Sequence, residues 1–147
     1  MVMTFHRWGS PVNKAEGYKI EATGTIQLDP ADVVNDLVQH THEANKHWWI
    51  DDASTDAQLL VVPTKLMLVV SEIAEAMEGH RKNLNDDKLP HRPMIEVELV
   101  DAIIRIFDLA GRLKLDLGGA YVEKMAYNAS RADHKPEARA AENGKKY

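Results

Sequence analysis

Residues 94–114, MIEVELVDAIIRIFDLAGRLK, constrain the fold more than any other stretch of this 147-residue chain. At about 100° per residue, Val97, Val100, Ile103, Ile104, Ile106, Phe107 and Ala110 cover more than half the circumference of a helix. A helix so covered must be buried on more than one side, at the centre of a bundle or at a subunit interface. Composition agrees: 44% of residues are hydrophobic but only 6% aromatic, and helix-forming Ala, Leu, Glu, Lys and Met are plentiful. The expected class is all-α, with length enough for one core and not for two ordinary domains.

Three further helices are expected around that one. Asp29 followed by Pro30 is an N-cap and first-position pair. From there Val34, Leu37, Val38, Thr41, Asn45 and Trp48 fall on one stripe. After a break at DDASTDA, Pro63 opens a second helix to about His80, with Leu66, Val69, Val70, Ile73 and Met77 as its apolar stripe and Gly79 at its end. Residues 79–93 read as a polar loop, and a fourth helix follows Asp116 and Gly118 to about Ala132. The expected organisation is a four-helix domain over 29–132, preceded by an irregular arm (1–28) that carries Phe5 and Trp8. That arm includes a short extended piece at 23–28, and a loosely held charged tail (133–147) follows the domain.

A formal charge of −5 argues against binding to nucleic-acid polymers, which requires a basic surface. With no Cys there is neither disulfide nor thiolate chemistry. The N-terminus has no apolar signal core and no run is long enough to span a bilayer, so a soluble, cytoplasmic protein without membrane association is expected.

Two acidic pairs carry the chemistry. Glu72 and Glu75 lie about 60° apart on the second helix, sharing a face with Lys65 and Leu68. Glu98 and Asp101 lie likewise on the third, where Arg105, Asp108 and Arg112 continue the strip. In an antiparallel hairpin both pairs meet at similar height, and four converging carboxylates call for a hard divalent cation, Mg²⁺ above all. The competing reading is a solvated face with i,i+4 ion pairs, Asp101 with Arg105 and Asp108 with Arg112.

On the fourth helix Lys124, Asn128 and Arg131 form a row suited to a polyphosphate, although the same row also complements a helix C-terminus. Asn45 and Trp48 are candidates for a nucleobase site, the indole as a stacking surface and the amide for a ligand edge. Local backbone bonding and core packing are the ordinary alternatives. The seven His, including His40 and His42, are not assigned as ligands.

Together, Glu72-Ile73-Ala74-Glu75, Glu98-Leu99-Val100-Asp101, IIRIFDLAGR and KMAYNASRADHK resemble the MazG-like, all-α nucleoside triphosphate pyrophosphohydrolases over roughly residues 30–135. The resemblance implies Mg²⁺, with Mn²⁺ able to replace it, on Glu72, Glu75, Glu98 and Asp101, and triphosphate on Lys124, Asn128 and Arg131. It implies hydrolysis of (deoxy)nucleoside triphosphates to monophosphate and pyrophosphate, for pool clearance or specialised metabolism such as that of dGTP. Many members carry a further Glu where this chain has Ser71, which leaves the general base open: Glu75 is taken for it, nothing in the sequence separates it from Glu72, and Glu78 and Glu96 are further carboxylates the cluster could use. A homodimer or homotetramer is expected to cover the third helix. The alternatives are a related all-α dUTP or dCTP pyrophosphatase and a helical interaction module without catalysis.

Overall fold

A computed structural model describes residues 18–20, 26–49 and 55–131. Most of the 1–28 arm and all of the 133–147 tail, on which two of the expectations fall, lie outside the described residues. Within the arm, β1 (Tyr18–Ile20) pairs antiparallel with β2 (Ile26–Leu28), Lys19 opposite Gln27. Four helices follow: α1 (Pro30–Asn45), α2 (Thr55–Lys82), α3 (Met94–Arg112) and α4 (Leu117–Ser130), with a 3₁₀ turn at Lys46–Trp48. The domain is predominantly helical, as composition and periodicity require.

The helix starts follow their caps. Asp29 accepts a hydrogen bond from Ala31 N–H at 2.9 Å, and Pro30 occupies the first helical position, where no N–H is needed. Asp116 accepts from Gly119 N–H at 2.9 Å and caps α4.

Helix α2 departs from expectation at both ends. It begins at Thr55, so that Pro63 lies inside it, removing one backbone donor that a 28-residue helix can lose. It also runs through Gly79 to Lys82 and ends at Asn83, whose left-handed φ of 52° lets Leu84 N–H return to the Gly79 carbonyl at 3.0 Å. Gly79 serves packing instead: a Cβ there would lie 2.8 Å from Met94.

The loop after Asn83 is tied down. Asp86 is buried, and its Oδ1 accepts from the N–H groups of Lys88 and Leu89 at 3.0 and 2.6 Å. Its own N–H donates to the Arg92 carbonyl at 3.0 Å. The loop therefore returns the chain into α3 in a fixed direction.

Helices α2 and α3 form an antiparallel hairpin with a seven-residue step. Gly79 faces Met94, Glu72 faces Asp101, and Lys65 faces Asp108. Successive layers are therefore about 10.5 Å apart along the helices. Helix α1 also packs on α3, meeting it at Asp108 through His42, and carries α4 against itself. Both crossings are close, because a Cβ at Gly111 would strike His42 and one at Gly118 would strike the Ala31 carbonyl. Asn35 ties α1 to α4, donating to Asp116 Oδ1 and accepting from Gly118 N–H, each at 2.8 Å.

The core is made of small residues, Ala76, Ala102 and Ala110 with Val38 and Leu109. The apolar stripe of α2 faces outward, with Leu66, Val70, Ile73 and Met77 between 47% and 63% exposed. On α3, Leu99, Val100, Ile103 and Ile106 are also exposed. Thus the hairpin packs on its small and acidic face and presents its large apolar face to the outside. No helix among the described residues is long and apolar enough to cross a membrane.

Candidate metal centre

The second layer of the hairpin gathers the acids. One carboxylate oxygen each from Glu72, Glu98 and Asp101 lies within 4.8 Å of the others, with Glu72 and Glu98 buried and Asp101 partly so. Glu75 is outside this trio: it sits exposed at the rim of the same acidic cleft, which Asp86 and Asp87 close from the loop. Ser71 does not point its hydroxyl into the cluster, since Oγ donates to the Leu68 carbonyl at 2.7 Å.

Crowding shows in the proton affinities. Burial raises the Glu98 carboxyl to about 7, helped by its hydrogen bond with Glu72 and by the charges of Glu75, Glu72 and Asp101. Asp101 is also raised, by burial and then by the Glu72 charge, while Arg105 pulls it back. Arg105 is not paired along its own helix with Asp101; its Nε donates across the hairpin to Glu72 Oε1 at 2.6 Å. Buried carboxyls with hard oxygen donors, crowded enough to retain a proton near neutrality, are a donor set that fits a hard divalent cation.

One layer further along, Asp108 organises a second cluster that sequence periodicity did not reveal. Its buried carboxylate accepts from Trp49 Nε1–H at 2.9 Å, lies 2.9 Å from His42 Nδ1 and faces Lys65 Nζ at 3.6 Å. Lys65 in turn lies over the Trp49 ring at 4.5 Å. The only advance signals were the shared strip of Asp101, Arg105 and Asp108, and Lys65 one heptad before Glu72.

Between the two clusters lies a cleft of 440 Å³, lined by Asn45, Trp48, Lys65, Asp101, Ile104, Arg105 and Asp108. Its volume is within the ~300–1,000 Å³ range of small-molecule sites. Asn45 and Trp48 both reach it, but Asn45 Nδ2 donates to the Thr41 carbonyl at 2.9 Å and so also serves its own helix end. Trp48 is 68% exposed and lines the cleft, with the His47 ring tilted against its indole at 4.9 Å.

The α4 row stands elsewhere. Lys124 and Arg131 lie over the Tyr127 ring at 4.8 and 6.0 Å, and Asn128 Oδ1 is buried with no hydrogen-bond partner. Neither cleft beside the acidic trio is lined by α4. Within one chain, then, the acids of α2 and α3 are brought together and the row of α4 is not brought to them. Compared with protein-family models, curated proteins and solved structures, the chain matches none.

Proposed function

We propose that this chain is a divalent-metal-dependent nucleoside triphosphate pyrophosphohydrolase, releasing a monophosphate and pyrophosphate. The observation that carries the proposal is the buried meeting of Glu72, Glu98 and Asp101 beside a cleft lined by Lys65 and Arg105. Acids alone accommodate a cation, while acids beside cations accommodate a cation together with a polyanion.

Glu72, Glu98 and Asp101 would hold Mg²⁺ or Mn²⁺, with Glu75 at the rim. When bound, the ion supplies Lewis acidity, lowering the pKa of water and neutralising phosphate charge. As a ligand Glu98 would be ionised, so holding the ion would displace the proton that its burial favours. Glu75, exposed in the same acidic cleft, would receive the proton of the attacking water. Lys65 and Arg105 set positive charge along the cleft for the phosphates, Lys65 being steadied by Asp108 and by the Trp49 ring. Trp48 offers an exposed indole for stacking against a base.

Two copies pairing through the outward faces of α2 and α3 complete this reading. The stripe of Leu66, Val70, Ile73 and Met77 continues onto Leu99, Ile103 and Ile106, a contiguous apolar face of the kind subunit interfaces cover. The row Lys124, Asn128 and Arg131 then serves the triphosphate across the boundary between copies, since it lines neither cleft of its own chain.

The test is incubation with each NTP and dNTP, in Mg²⁺ and in EDTA, with separation of products. Pyrophosphate release that depends on the metal is expected. Orthophosphate as the first product, or turnover undiminished by EDTA, refutes the proposal.

A further inference from the structure

Arg105 belongs to two places at once. Its Nε and Nη2 both bind Glu72 Oε1 in the acidic cluster, and the same side chain lines the 440 Å³ cleft in which Lys65 is the other cation. A guanidinium keeps its charge at every accessible pH. It is thus a fixed positive charge lying on one of the three carboxylates that converge to within 4.8 Å.

Two cations cannot share Glu72 without cost. A divalent ion among Glu72, Glu98 and Asp101 would lie a few ångströms from the guanidinium, where repulsion between like charges is strong in a partly buried site. The arginine has somewhere to go. Its side chain lines both the acidic cleft and the adjoining one and is 38% exposed, so rotation about its terminal torsions would carry the planar fork from one to the other. An anionic phosphate in that cleft would accept the fork as Glu72 does now.

We propose that Arg105 is a resident counter-ion that competes with the divalent cation for Glu72 and, once displaced, becomes a ligand for a phosphate group in the neighbouring cleft. The inference rests on the metal-and-triphosphate reading above. By linkage, cation and polyphosphate assist one another's binding beyond their direct attraction, since each favours the same arginine position. With Glu72 engaged by Arg105, the cation site alone is weaker than its carboxylate count suggests.

The experiment separates two affinities that a purely structural arginine would move in one direction. At pH 8.5, Mn²⁺ binding is measured by titration calorimetry, and inorganic triphosphate binding is measured with saturating Mg²⁺. In Arg105→Gln, Mn²⁺ should bind roughly tenfold tighter than in the wild type. Triphosphate should bind roughly tenfold weaker. Arg105→Lys keeps the charge without the fork and should hold Mn²⁺ within about threefold of the wild type.

Wild-type protein gives an independent readout by NMR, free of any folding defect in a variant. The Arg105 Nε–Hε signal should lie downfield, held by Glu72, and should shift on Mg²⁺ addition. If Mn²⁺ binds Arg105→Gln no more tightly than the wild type, or if Mg²⁺ saturation leaves the Hε signal in place, the competition is refuted while the metal reading stands. Failure of Mn²⁺ to bind either protein refutes both.

Discussion

Glu98 offers the sharpest test of whether the acidic layer carries unrelieved charge. The residue is 7% exposed and its carboxyl is raised from 4.5 to about 7. That rise corresponds to ~3 kcal/mol of preference for the protonated form over the ionised one. The folded chain therefore holds a proton that the unfolded chain releases between pH 4.5 and about 7. Stability falls as pH rises through that window and is level above it, because the folded state binds more protons. Glu98→Gln removes the ionisation, retains the shape and offers an amide N–H to Glu72. In EDTA at pH 8 the variant should be more stable than the wild type by up to ~3 kcal/mol, and near pH 4.5 the two should coincide. For a chain of this size the gain appears as a melting temperature higher by on the order of 5–10 °C.

Thermal melts followed by circular dichroism at pH 5 and pH 8 provide the assay. Added Mg²⁺ should reverse the order at pH 8, stabilising the wild type by mass action and the variant far less. If the variant melts at or below the wild type at pH 8 in EDTA, or if the gap is equally large at pH 5, the carboxyl is not under electrostatic strain. A cation at this layer would then have no charge crowding to relieve, and only the meeting of the three carboxylates would favour it.

Three other outcomes follow from particular contacts. Asp108→Ala leaves the Trp49 indole, His42 and Lys65 without their shared acceptor, and should cost about 3–5 kcal/mol in urea unfolding with a change in Trp49 emission. A loss below about 1 kcal/mol would show that the hub is incidental. Gly79→Val drives a branched side chain into Met94 and should cost about 1–3 kcal/mol, part of it recovered when Met94→Ala is added. Ile73→Glu combined with Ile103→Glu places charges on the outward apolar face and should yield a single-copy species in sedimentation velocity with helicity retained. An unchanged sedimentation coefficient would remove that face from the interface.

Much of this architecture is legible in the sequence because helix periodicity is a local property. The caps at Asp29 and Asp116, the strip from Glu98 through Asp101 and Arg105 to Asp108, and the hairpin that brings Glu72 to it can all be read by counting residues. What resists reading is the choice between two stripes. An apolar stripe is ordinarily the buried one. Here Ala76, Gly79, Ala102 and the acids face inward because small groups allow the helices to close, and Ile73 and Met77 are left outside.

Pro63 misleads for a related reason. It suits a helix start as well as the tolerated interior position it holds, and only the helical course of the residues before it decides. The pairing of Tyr18–Ile20 with Ile26–Leu28 is too short for alternation to be visible. The Asp108 hub joins residues 59 and 66 positions apart, a proximity that no local pattern encodes.

The seven-residue step of the α2–α3 hairpin gives the protein something like a reading frame. Deleting a single residue between Lys65 and Gly79 would turn one part of α2 by about 100° against the other. Glu72 would leave its layer while Lys65 kept its place opposite Asp108, or the reverse. Even a whole heptad added there would keep the phase but slide one layer about 10.5 Å past its partner on α3, so no change of length between Lys65 and Gly79 keeps both layers. A lineage of such chains should therefore keep the spacing of Lys65, Glu72 and Gly79 matched to that of Asp108, Asp101 and Met94.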